Sequence, residues 1–108
     1  MKKDCYCMCI ISALQKDATK MAHLLVEKRA AACAQVSSPI RSFYWWQEKI
    51  EESQEVFIFL KTEKNKITEI QNILNNIHPY QVYEFIVLPI KDGNPGYLQW
   101  ITDSLKHN

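Results

Sequence analysis

The sequence predicts an α+β fold of the ferredoxin-like kind: a β-α-β-β-α-β chain with a long central β-hairpin and an extra C-terminal helix. Three observations predict it. Apolar runs of strand length alternate with amphipathic stretches of helical period in that order. A last helical stretch is announced by Asn94 as a cap and Pro95 at its first position. The only two glycines of the 108 residues are Gly93 and Gly96, so residues 1–92 hold no G-x-G-x-x-G, no phosphate loop and no G-x-S-x-G elbow. The enzyme folds built on glycine turns are thereby excluded. At this length a single domain, residues 1–108, is expected, long enough to bury a core without staples.

The elements follow in chain order. Cys5–Ser12 is an unbroken apolar run, the length of a buried strand. Leu14-Gln15-Lys16 reads as a loop, and Asp17 is placed to cap a helix over Ala18–Ala32. Ala18, Met21, Ala22, Leu25 and Val26 form its stripe, and Lys28 and Arg29 suit the negative end of the dipole. A second strand starts at Cys33–Val36, is interrupted by a bulge or bend at Ser37-Ser38-Pro39, and resumes over Ile40–Gln47. Glu48-Lys49 is the expected turn, and Ile50–Thr62 returns with the core run Val56–Leu60. Thr62 or Asn65 opens a second helix with the stripe Ile67, Ile70, Ile73, Leu74 and Ile77, which Pro79 ends. Val82–Ile90 is the fourth strand, and the last helix runs to about Leu105.

Two features do not suit a lone protomer. In the third strand Val56, Ile58 and Leu60 face one way while Phe57 and Phe59 face the other, and the first and fourth strands are also apolar on both faces. One helical layer covers only one face. The hairpin arms also exceed a typical strand, so the distal part projects with Trp45 and Trp46 on it. A patch of that kind marks an interface, and a homo-oligomer is expected.

Thirteen basic and twelve acidic residues leave a net charge of +1, and Arg29 and Arg41 are the only arginines. No nucleic-acid partner is expected from this balance. No run approaches the roughly 18 apolar residues of a membrane span. Met1-Lys2-Lys3-Asp4 leads into an apolar run without a small-residue cleavage site, so no signal peptide is expected. Cys5, Cys7 and Cys9 share one face of an extended strand, where bridging neighbours is geometrically poor. Reduced thiols and a cytoplasmic location fit better.

Longer stretches resemble the CutA divalent-cation tolerance family. Glu27-Lys28-Arg29-Ala30-Ala31-Ala32-Cys33-Ala34 is similar to its EKRLAACxN segment. Ser42-Phe43-Tyr44-Trp45-Trp46-Gln47-Glu48-Lys49-Ile50-Glu51-Glu52 resembles its S-x-Y-x-W-x-G-K-I-E-E hairpin. Glu55-Val56 with Leu60-Lys61-Thr62, then His78-Pro79-Tyr80-Gln81-Val82-Tyr83-Glu84, resemble its EV…KT and HPYxVPE motifs. Leu88-Pro89-Ile90, Gly93-Asn94 and Tyr97-Leu98-Gln99-Trp100 complete a match over nearly the whole chain. The resemblance implies a tight homotrimer of ferredoxin-like protomers that binds Cu(II) or another divalent cation, with no organic cofactor. Glu48 departs from the hairpin glycine and Tyr83 from the proline before Glu84. The family's copper set, a cysteine and two successive histidines, falls in register on Ile10, Ile77 and His78. Only His78 remains, with Glu84 beside it as a possible second ligand, which implies weak Cu(II) binding.

The candidate residues each carry two readings. The cysteine trio offers soft ligands for Cu(I) or zinc, against plain core packing of free thiols, with Cys33 core as well. His78, held extended before Pro79, is either a metal ligand or a cap on the last helical carbonyls. His23 and His107 are expected on the surface. Glu84 interrupts an apolar strand and Lys61 ends one, so the two suit an ion pair, within one subunit or across an interface. The functional reading gathers Lys61, His78, Tyr80 and Glu84 around an inter-subunit cleft for a small anion or a metal. Tyr44, Trp45 and Trp46 either stack a ligand there or pack an interface. Three functions follow: a non-enzymatic cation-tolerance protein, a PII-like ligand sensor or scaffold with a protein partner, and, least favoured, a hydrolytic enzyme.

Overall fold

The computed structural model describes residues 5–106. Strand β1 (Tyr6–Ala13) leads to helix α1 (Gln15–Glu27), then β2 (Cys33–Val36), β3 (Ile40–Trp46) and β4 (Lys49–Glu63). A 3-10 turn (Lys64–Lys66) enters α2 (Ile67–Ile77), and β5 (Phe85–Pro89) and α3 (Pro95–Ser104) complete the fold. The strands lie in the order β2-β4-β1-β5, with β3 pairing to β4 beyond β2, and every pairing is antiparallel. His107 and the Met1–Asp4 start lie outside the described residues.

Alternation decides which face each strand residue covers. Cys9, Ile11 and Ala13 of β1 with Val56, Ile58 and Leu60 of β4 pack under Ala18, Met21 and Leu25 of α1 and Ile70 and Leu74 of α2. On the opposite face Ile10 lies between Phe59 and Ile86, and Met8 beside Leu88. Phe57 and Phe59 share that face, their ring centroids 5.7 Å apart. Helix α3 packs across the sheet end, Ile101 and Leu105 against Ala32 and Tyr6.

The expected interruption of the second strand is a bulge. Val36 is opposite Ile58, Ser37 N–H donates to the Phe57 carbonyl at 2.9 Å, and Ile40 is opposite Glu55. Ser38 and Pro39 together therefore face the single residue Val56. Ser37 Oγ accepts the Phe57 N–H at 2.8 Å, satisfying a donor the bulge would orphan.

Five boundaries differ from the sequence expectation. Helix α1 starts at Gln15, so Asp17 lies in its first turn and Leu14 is the uncharged cap. It stops at Glu27 rather than Ala32, because Arg29 takes a left-handed φ of 57°. Ala30 N–H reaches the Leu25 carbonyl and Arg29 N–H the Val26 carbonyl, the Schellman pattern with arginine in the glycine position. Val26 is consequently exposed rather than core. The hairpin turn is Gln47-Glu48, one residue earlier than expected, both at positive φ, with Lys49 already in β4. Neither Thr62 nor Asn65 caps α2: Thr62 is buried in β4 and donates to the Ala30 carbonyl at 2.7 Å, Asn65 is in the 3-10 turn, and Ile77 is exposed. Finally the fourth strand begins at Phe85, not Val82, whose side chain is 90% exposed. Glu84 thus lies in an exposed loop and does not interrupt a strand.

Candidate functional site

The candidate residues gather where β1 ends. Ala13 pairs with Val56, so the chain leaves β1 for α1 next to Glu55, at the root of the hairpin. The 78–84 loop reaches the same corner from α2. His78 ends that helix: its backbone is extended at ψ 129°, and its N–H donates to the Leu74 carbonyl at 2.8 Å.

The His78 ring turns inward and is 8% exposed. Nε2 lies 3.0 Å from the Ser12 carbonyl oxygen, and Nδ1 accepts the Tyr80 backbone N–H at 3.1 Å. A carbonyl only accepts and an amide N–H only donates, so the ring is the neutral Nε2–H tautomer. Tyr83 stacks on it at 4.8 Å and 14°, and donates its hydroxyl to Asn75 Oδ1 at 2.6 Å. Tyr80 packs on its other side at 5.0 Å.

Tyr80 carries the site toward the hairpin. Burial raises its phenol above the ordinary value, with the Glu55 carboxylate, Tyr44 and Asp17 adding to the rise. Glu55 itself is 8% exposed. The Asp17 Oδ2 and Ser53 Oγ atoms are buried with no hydrogen-bond partner among the described residues. The corner around Tyr80 is thus oxygen-rich, with two carboxylates and two phenols.

Of the expected site residues, His78, Tyr80 and Tyr44 come together here. Lys61 does not: it sits near the end of β4 on the open face and donates to Gln35 Oε1. With Glu84 in the exposed loop, no Lys61–Glu84 ion pair forms within the protomer among the described residues. Trp45 and Trp46, 73% and 59% exposed, lie beside the hairpin turn and point to alternate sides. Asp17 and Glu55 were missed. Asp17 reads as a cap, and the signal for Glu55 was a carboxylate directly before the core run Val56–Leu60.

A copper centre does not fit these residues. Both His78 nitrogens are committed, Ile10 and Ile77 offer no lone pair, and no three His, Cys, Asp or Glu among the described residues are arranged to hold a metal ion. The cysteine trio does not converge either. Cys7 and Cys9 are buried on the helix-facing side, Cys9 in the main core. A Cys9 to Cys7 hydrogen bond lowers the Cys7 thiol and, together with burial, raises that of Cys9. Cys5 donates to Glu63 at 3.9 Å, and the Tyr97 phenol is raised by burial and by the neighbouring Cys33 thiol. His23 is exposed on α1, as expected.

A family profile described as "CutA1 divalent ion tolerance protein" matches residues 6–104. The "Protein CutA homolog" of Xenopus laevis is 41% identical over 98 residues, 91% of this chain and 63% of that protein. For "Protein CutA" of Mus musculus the match is 41% over 87 residues, 81% of this chain and 49% of that protein. The chain therefore spans between half and two thirds of these vertebrate relatives. The "Divalent-cation tolerance protein CutA" of Thermus thermophilus is 36% identical over 81% of this chain and 84% of its own length. Among solved structures, CutA1 of the psychrotrophic Shewanella sp. SIB1 superposes with a TM-score of 0.90 at 34% identity, covering 95% of this chain and 97% of that one. The protein described as periplasmic CutA of Archaeoglobus fulgidus gives 0.89 at 31% identity, over 94% and 99%.

Proposed function

This chain belongs to the CutA1 divalent ion tolerance family, and on that premise we propose that it is a non-enzymatic divalent-cation response protein working as a homotrimer. The open sheet face carries the reading: Met8, Ile10, Phe57, Phe59, Ile86 and Leu88 form a continuous apolar surface opposite the helices. Such a surface calls for a second protein layer. The place for the cation or a small ligand is the cleft that assembly closes over the hairpin root and the 78–84 loop, lined by Tyr44 and Tyr80, with Lys61 and the exposed Glu84 reaching it across the subunit boundary. Cu(II) is held there more weakly than by a complete cysteine and histidine set, because the His78 ring is already engaged. Catalysis is not part of the proposal for the same reason: the natural base has no open nitrogen. Placement in the cytoplasm rests on Cys7, Cys9 and Cys33 being reduced thiols.

Light scattering at micromolar concentration tests assembly, with three times the chain mass expected and a monomer mass overturning it. Calorimetry with Cu(II) on the same sample tests the cation, with weak binding expected and tight stoichiometric binding overturning the weak-site assignment. The exposed Trp45 beyond the sheet favours a second reading, a PII-like sensor or scaffold that passes a signal to a protein partner. A ligand-dependent change in partner binding separates it from the first.

A further inference from the structure

We infer that His78 is a positioning residue: a tautomer-locked clasp that holds the 78–84 loop on β1 and sets Tyr80 against Glu55. Its ring nitrogens become available to a proton or a metal ion only when that clasp opens.

The clasp is built from two bonds of opposite polarity. Strand β5 starts pairing at Phe85 opposite Ile11, so the Ser12 carbonyl lies beyond the last strand partner on that side. Nε2–H supplies the missing donor at 3.0 Å. Nδ1 supplies an acceptor for the Tyr80 N–H at 3.1 Å, and with it fixes the backbone that carries the Tyr80 phenol. The ring is held between Tyr83 and Tyr80, and Tyr83 is itself tied to Asn75 of α2. The groups in contact with the ring are neutral; the charged groups of the corner, Glu55 on β4 and Asp17 on α1, are grouped with Tyr44 of β3 around Tyr80. Protonating Nδ1 would set an N–H against the Tyr80 N–H, and a metal on either nitrogen would displace one of the two bonds. Each event must release the loop, because a buried donor or acceptor left unmade is costly. The ring geometry is independent of the assembly reading. Only the claim that the loop lines a ligand cleft rests on that reading.

The test is nitrogen NMR of the histidine-labelled full chain, with His78 assigned by His78→Gln, and hydrogen exchange at the Tyr80 amide. The expected ring signature is a protonated Nε2 and a bare Nδ1, unchanged by Zn²⁺ added at stoichiometric concentration. His78→Phe, which keeps an aromatic ring against Tyr80 and Tyr83 but can make neither bond, should cut Tyr80 protection about tenfold. His78→Gln, which keeps an amide donor for Ser12, should lose less of that protection than His78→Phe. An Nδ1–H tautomer, a ring shift with stoichiometric Zn²⁺ while Tyr80 stays protected, or full Tyr80 protection in His78→Phe each overturn the proposal. If the variant does not fold, the wild-type tautomer and the zinc titration decide it. A monomeric mass would sink the assembly reading and leave these readouts untouched.

Discussion

Tyr80 and Tyr97 hold their phenolic protons more tightly than free tyrosine does, in both cases chiefly through burial and then through a neighbouring acceptor, Glu55 or Cys33. A group whose folded value is raised contributes stability that is fully present below its unfolded value, about 10 for tyrosine. That contribution disappears as pH rises through the folded value. Melting temperature should therefore fall above about pH 10, more gently in Tyr80→Phe. Absorbance titration should find Tyr80 and Tyr97 ionising late. An unchanged alkaline slope in Tyr80→Phe would remove Tyr80 from the account. At this scale the sequence told part of the site. His78 before Pro79 and Tyr80 stood out by residue type. The Ser12 carbonyl did not, because a backbone acceptor has no residue signature. Asp17 read as a cap because an acid before an apolar stripe usually is one.

The elements themselves were legible where periodicity rules and illegible where the chain turns without glycine. The core runs of β1 and β4, the α2 stripe from Ile67 to Leu74 and the Asn94-Pro95 start of α3 are as read, and Asn94 Oδ1 accepts the Gly96 N–H at 2.9 Å. The end of α1 and the hairpin turn were misplaced because Arg29, Gln47 and Glu48 adopt left-handed backbone that glycine or asparagine would normally announce. Left-handed backbone costs an ordinary side chain about 1–2 kcal/mol, partly offset by glycine's greater loss of freedom on folding. Glu48→Gly, at φ 67° in an exposed turn, should therefore stabilise the protein by about 0.5–1 kcal/mol and raise its melting temperature. A lower melting temperature would mean the Glu48 side chain makes a contact in the assembly. The late start of β5 has a different cause. Beyond Ile11 the edge of β1 is occupied by His78, so Val82, apolar and strand-like, has nothing to pair with.

At the scale of the molecule the sheet has one face built into a core and one left apolar and open. The projecting hairpin gives principal extents of 48 × 26 × 23 Å. Alternation made the open face readable from Phe57 and Phe59 alone, since any helical layer on a split βαβ sheet lies on one side. What alternation did not convey was the reach of β4, 15 residues long, which serves β1, β2 and β3 in turn. If the proposed trimer forms through this face, Phe59→Asp, a charge set in mid-face, should give monomers by light scattering while leaving the helical circular dichroism intact. Trp45→Ala should loosen it by roughly 3 kcal/mol, the scale of a buried aromatic. Trimers from both variants at full stability would place the subunit contact elsewhere.

The central place of β1 carries a consequence for how the chain is made. Tyr6 pairs with Glu63 and Cys7 with Pro89, so the strand synthesised first is the one whose neighbours on both sides arrive last. Hairpin β3–β4 closes over a two-residue turn and is the fast, local event, whereas docking β1 must close most of the chain first. Until β4 and β5 leave the ribosome, β1 has no ladder to join and its apolar run is available to any other strand edge. Production of this protein is therefore most exposed to aggregation in the interval between emergence of β1 and completion of β5.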